Sequence, residues 1–224
     1  MKRTIFILAL PLIGAQANAA IVDNFTVAYA NSLQSGTWVD FQAGGMLGGE
    51  RDVQLEVLNN PFNTFCDLDI NGAGMAISSQ GFGMTSNVYL QYDRTGDEAG
   101  NTGAGKFLTN GGTGVALLGG FNDTLRIGFI GNDLDVNVKA VARLSGAIIG
   151  SNSALRPGGS GVGTLDIAMS PAVLASADSL TFVFSGATNA DFAISKIETV
   201  PEPLSLAVLG LGAALAVRRR RTTK

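Results

Sequence analysis

The sequence predicts an all-β fold, an antiparallel β-sandwich of the jelly-roll kind, formed as one domain by residues 20–199. Three observations predict it. Apolar residues recur at every second position, Gly, Asn, Asp and Ser clusters separate those runs, and a helical period is almost absent. A half-buried strand needs this alternation because successive side chains point to opposite faces.

Taken in chain order, strands are expected at residues 24–29 and 37–41, and next where Val53, Leu55 and Val57 alternate with Gln54 and Glu56. The glycine-rich residues 43–52 read as a tight connection into that strand. Residues 65–70 and 88–92 follow, then Leu125, Ile127 and Phe129 on one face of a strand. Residues 133–144 alternate best. Leu134, Val136, Val138, Ala140, Ala142 and Leu144 share a face opposite Asp133, Asp135, Asn137, Lys139 and Arg143. Residues 165–168 are a short strand. Residues 171–177 read as one or two helical turns, with Ser170 as a candidate cap and Pro171 at the first position. Leu180, Phe182 and Phe184 define a further strand, and residues 192–199 the last. Between these, nine glycines fall in residues 95–120 and five in residues 150–163. Such stretches read as long loops, either mobile or forming a binding rim. No segment repeats at a fixed period, which excludes solenoids and propellers.

Composition removes several chemistries. The chain contains no histidine, which excludes Ser-His-Asp and Cys-His sites, histidine zinc ligands and an imidazole pH switch. There is no G-x-S-x-G elbow. Gly100, Gly105 and Lys106 have phosphate-loop spacing, but Phe107 stands where a magnesium-binding Ser or Thr belongs. The near pairs Asp67 with Asp69, Asp133 with Asp135, and Asp97 with Glu98 read as surface carboxylates, since D-x-D on a strand puts both on one solvent face. No catalytic residue is assigned, and the chain is read as a non-enzyme. Calcium is a candidate at Asn132, Asp133 and Asp135, where hard oxygens cluster; no other cofactor is expected. The lone Cys66 cannot form an internal disulfide and reads as a small buried apolar group. Trp38 stands where either face could be the core, with the core favoured.

The ends of the chain differ from its body. Lys2 and Arg3 precede an apolar run over residues 4–13, and Ala17-Asn18-Ala19 is a small-x-small cleavage pattern. A secretory signal peptide cut after Ala19 is expected. The run is too short for a spanning helix, which takes roughly 20 apolar residues. Residues 20–200 keep eight Lys and Arg against seventeen Asp and Glu, a net charge of −9. That sign repels phosphate backbones, so nucleic acid is not an expected partner.

At the other end, Val200, Pro201, Glu202 and Pro203 precede a 14-residue apolar run at 204–217, then Arg218, Arg219, Arg220 and Arg221. As a helix the run would extend about 21 Å, short for a permanent anchor across roughly 30 Å of hydrocarbon. The arginines would hold its end on the cytoplasmic side. The order of these three parts, residues 200–224 in all, resembles the PEP-CTERM sorting signal of Gram-negative bacteria. That resemblance implies recognition of Pro201, Glu202 and Pro203 by an exosortase, a membrane protease with its own catalytic residues. It also implies retention by the arginine cluster and transient anchoring in the inner membrane. Residues 47–55 (LGGERDVQL) also resemble stretches in ectodomains of such proteins. The implied protein is an exported, structural component of the cell surface or extracellular matrix, associated with exopolysaccharide and biofilm. Its partners during export would be signal peptidase and the exosortase. Two alternatives stay open: a carbohydrate-binding, lectin-like module with calcium assistance, marked by an exposed Trp38 or Tyr92 beside an Asp/Asn cluster, and, less favoured, a glycoside hydrolase.

Overall fold

The computed structural model describes residues 19–94, 102–108, 112–118 and 122–201. Two antiparallel sheets pack face to face around one core. The strands are β1 (Ile21–Asp23), β2 (Tyr29–Leu33), β3 (Gly36–Ala43), β4 (Glu50–Asn59), β5 (Cys66–Ile70), β6 (Ala76–Gln80), β7 (Thr85–Tyr92) and β8 (Gly103–Ala104). They continue as β9 (Asn122–Asn132), β10 (Val136–Leu144), β11 (Ala147–Arg156), β12 (Gly163–Ala168), β13 (Ser179–Gly186) and β14 (Phe192–Pro201), with one short helix, α1 (Pro171–Ser176). The first sheet runs β12-β9-β14-β6-β5-β2, with β1 also paired to β14. The second runs β11-β10-β13-β7-β4-β3-β8.

The period-two rows named above line the space between the sheets. Leu125, Ile127 and Phe129 of β9, with Leu68 and Ile70 of β5, face Val53 and Leu55 of β4, Val88, Leu90 and Tyr92 of β7, and Leu180, Phe182 and Phe184 of β13. Phe184 stacks on Phe192 across the two sheets, with ring centroids 5.3 Å apart and an interplanar angle of 19°. One charged pair enters this core. Arg51 is fully buried and donates to Asp23 at 2.7 Å, to the Val27 carbonyl at 2.9 Å and to Gln42. Asp23 also accepts from the Tyr92 hydroxyl and the Phe25 amide.

Five expectations need correction. Residues 24–28 are a connection, because Asp23 captures the Phe25 amide and Phe25 turns to φ 55°. Strand β10 starts at Val136, so Asp133 and Leu134 lie in a turn and Leu134 is 40% exposed. Residues 150–156 belong to β11, an edge strand exposed along most of its length, which therefore shows no apolar alternation. The Ser170 side chain makes no cap hydrogen bond, although Pro171 does open α1. Strand β14 continues through Pro201, two residues past the expected end of the last strand. Strands β1, β6, β8 and β11 were not foreseen, and β2 only at Tyr29.

The strand directions define two poles. Ile21 pairs with Glu198, and Pro201 ends β14, so both ends of the described chain meet at one pole. Ten residues of β14 carry the chain about 33 Å from the other pole. That far pole holds the β9–β10 turn and the exposed rings of Phe62 and Phe82, whose centroids are 4.9 Å apart.

Candidate functional site

The outward side of the second sheet carries a connected polar arrangement. Strands β4, β7 and β13 place Glu56, Asn87, Tyr89 and Ser185 side by side, because Glu56 is paired with Asn87 and Asn87 with Ser185. Tyr89 donates to Glu56, Asn87 donates to Glu56 and to the Tyr89 oxygen, and Ser185 donates to Asn87 at 2.7 Å. All four are half-buried. Burial, reinforced by the adjacent Glu56 carboxylate, pushes the Tyr89 hydroxyl up to about 12, so it stays a hydrogen-bond donor at any physiological pH. Exposed Asn137 and Lys139 extend the strip onto β10.

Towards the terminal pole the same sheet face is closed. Glu50, Asp52 and Asp93 are buried, and their carboxylate oxygens lie within 4.8 Å of one another. Gln91 donates to Asp93, Thr181 donates to Gln91, and Arg143 donates to Thr181 at 2.8 Å. Burial lowers the Arg143 guanidinium from its usual value. The Leu108 amide donates to Gln54, which brings residues 102–108 over this face. Gly48 holds φ +82°, and a Cβ there would collide with the Asp93 carbonyl, so only glycine allows the approach. The three carboxylates converge as a hydrolase would need, yet at exposures of 7%, 0% and 0% no substrate reaches them.

The sequence-predicted calcium residues serve as staples between turns at the far pole. Asn132 donates to the carbonyls of Leu134 and Pro157. Asp133 accepts from the amides of Leu134 and Asp191, and Asp135 accepts from the Gly158 amide. Asp133, Leu134, Asp135, Pro157, Gly158, Gly159 and Ala187 line an open depression there. Burial raises the nearby Asp191 carboxyl, the Gln80 amide opposes that shift, and the Asp133 charge adds to it. Asp93 is at the opposite pole from these residues, while Asp97 and Glu98 lie outside the described residues.

Tyr92 is fully buried and Trp38 is half-buried on the side of its partner Leu55, so neither is the exposed platform that sequence reasoning required. Cys66 is fully buried, as expected, with its thiol 3.1 Å from the Ser86 hydroxyl and pushed up chiefly by burial. Among the sorting residues, Val200 is half-buried in β14 and Pro201 pairs with Asn122. Glu202, Pro203, Arg218, Arg219, Arg220 and Arg221 lie outside the described residues, as do Ala17 and the expected apolar helix at 204–217. Ala19 is exposed. No helix among the described residues is long and apolar enough to cross a membrane.

No protein-family model matches the chain, and no curated protein matches it. Among solved structures, the chain is similar to the enzymatically active domain of tailspike protein 4 of bacteriophage CBA120, at 10% identity and a TM-score of 0.36, covering 78% of this chain and 19% of that one. It is similar to the family 11 carbohydrate-binding module of Clostridium thermocellum in complex with a mixed-linked tetrasaccharide, at 10% identity and a TM-score of 0.37, covering 82% and 95%. It is also similar to the CBM22-1–GH10 modules of xylanase 10B from the same organism, complexed with xylohexaose, at 10% identity and a TM-score of 0.38, covering 84% and 29%. The chain thus spans under a third of the tailspike and xylanase chains. At such scores these likenesses carry no functional weight.

Proposed function

We propose that the chain is an exported, non-catalytic module of the cell surface or extracellular matrix that binds carbohydrate through the strip of Glu56, Asn87, Tyr89 and Ser185. The strip carries this reading because it supplies what a sugar needs on an otherwise regular sheet. A carboxylate and an amide can accept and donate hydrogen bonds to hydroxyls, and an aromatic ring beside them can pack against the apolar face of a pyranose. The network also holds these groups in place before a ligand arrives, which lowers the ordering cost of binding. The charge of −9 over residues 20–200 disfavours uronic-acid polymers and favours neutral ones.

Affinity electrophoresis through gels containing neutral or uronic-acid polysaccharides tests this. A neutral glycan should retard the protein, and Tyr89→Ala should weaken that retardation by roughly tenfold or more, a change of about 1.4 kcal/mol. Equal retardation of the Tyr89→Ala protein, or mobility unchanged by every glycan, rejects the site.

The export half of the proposal rests on Ala17 and Ala19 at the N-terminal end, and on Val200, Pro201, Glu202, Pro203 and the arginine cluster at the other. Glu202→Ala should leave an uncleaved, membrane-associated form in the native host. Fractionation in which this variant matures and leaves the membrane like wild type rejects exosortase sorting.

A further inference from the structure

We propose that Glu50, Asp52 and Asp93, together with the hydroxyl of Ser179, form a binding site for one divalent cation, calcium by preference. The proposal is independent of the carbohydrate strip. Alternation along β4 puts Glu50 and Asp52 on the outward side, opposite Arg51 and Val53, and their carboxylate oxygens meet those of Asp93 within 4.8 Å. Three carboxylates brought so close inside a protein repel one another strongly in their charged forms.

Ser179 supplies the second observation. It pairs with Arg143, and the adjoining pair of Leu180 with Tyr92 carries the register on to Asp93. Opposed residues of an antiparallel ladder share a face, with Cβ atoms about 5 Å apart. The face is fixed by the chain of hydrogen bonds from Arg143 through Thr181 and Gln91 to Asp93. Ser179 is 0% exposed, and its Oγ has no hydrogen-bond partner. Burying such a hydroxyl unsatisfied costs about 1–3 kcal/mol. One cation between the carboxylates and the hydroxyl removes both penalties at once. The donors are all hard oxygens, three of them anionic, which suits a divalent ion of the calcium type. Calcium tolerates an irregular shell of six to eight oxygens, whereas magnesium demands near-octahedral geometry and keeps its waters. Arg51, the residue between the two acids in sequence, is turned to the core and committed to Asp23.

The test is calorimetric titration of the chelator-stripped full chain with calcium chloride, alongside thermal unfolding in calcium and in chelator. The expected result is one calcium per chain and a higher midpoint in calcium. Asp52→Asn should bind calcium more than about tenfold more weakly, yet melt higher than wild type in chelator, because it removes a repelling charge. That opposite sign separates loss of a ligand from misfolding. Glu50→Gln should behave likewise, and Ser179→Ala should weaken binding by a smaller factor. Asp133→Asn should bind as wild type does. No heat and no calcium-dependent midpoint in wild type overturns the site. So does wild-type affinity in Asp52→Asn, or loss of binding in Asp133→Asn, which would place the ion at the far-pole turns.

Discussion

Replacing Arg51 by alanine is expected to cost about 3–5 kcal/mol of folding free energy, measured as a lowered denaturant midpoint at unchanged slope. The guanidinium and the Asp23 carboxylate are 0% and 1% exposed and lie 2.7 Å apart. Deleting one partner strands the other charge in a dry core, a cost larger than the attraction lost. The Val27 carbonyl and Gln42 also lose a donor, and the Phe25 ring loses the cation 5.7 Å from its centroid. The double replacement Arg51→Met with Asp23→Leu should recover part of the loss, since no charge is then left buried. Recovery stays partial because the Tyr92 hydroxyl and Phe25 amide lose their shared acceptor. An Arg51→Ala protein as stable as wild type would mean that this pair is not buried in solution.

Phe184→Ala is the second large effect, also about 3–5 kcal/mol. The ring is 1% exposed, stacks on Phe192, and so joins the two sheets. Its removal loses transfer energy and opens a cavity that two rigid sheets fill poorly. The thermal midpoint should fall by on the order of 10 °C for a domain of this size. Phe65→Ala removes the same ring from a site that is 52% exposed, and should change stability by less than about 0.5 kcal/mol. Similar losses for the two variants would mean that Phe184 is not buried between the sheets.

Much of the architecture was legible because one face of most strands is dry. Rows such as Val136, Val138, Ala140 and Ala142, or Leu180, Phe182 and Phe184, announce themselves by spacing alone. Edge strand β11 did not, since IIGSNSALR faces solvent on most positions and carries no apolar period. Strand β6 was missed because Ala76, Ser78 and Gln80 fill its buried face, two of them polar. The polar strip was half legible. Glu56 was placed on an outward face, but its meeting with Tyr89 depends on the register of β4 against β7. The buried acids were the hardest to foresee. Glu50 and Asp52 look like ordinary solvent-side residues, yet both are buried on a face that residues 102–108 approach through the Leu108–Gln54 hydrogen bond. The usable signal was the coincidence of an acidic i, i+2 pair with an unusually long glycine-rich stretch elsewhere. For Asp133 the error came from extending a good alternation one turn too far, past the point where side-chain caps take over the backbone amides.

The meeting of both ends of the described chain at one pole has a mechanical consequence. A tug on any continuation beyond Pro201, resisted by something gripping the opposite pole, acts lengthwise on β14. Its rungs to β9 run from Phe192 to Pro201 and would be loaded together, in shear, instead of being peeled open one at a time. Such a strand yields only when many bonds fail at once, so traction along β14 meets the whole ladder together.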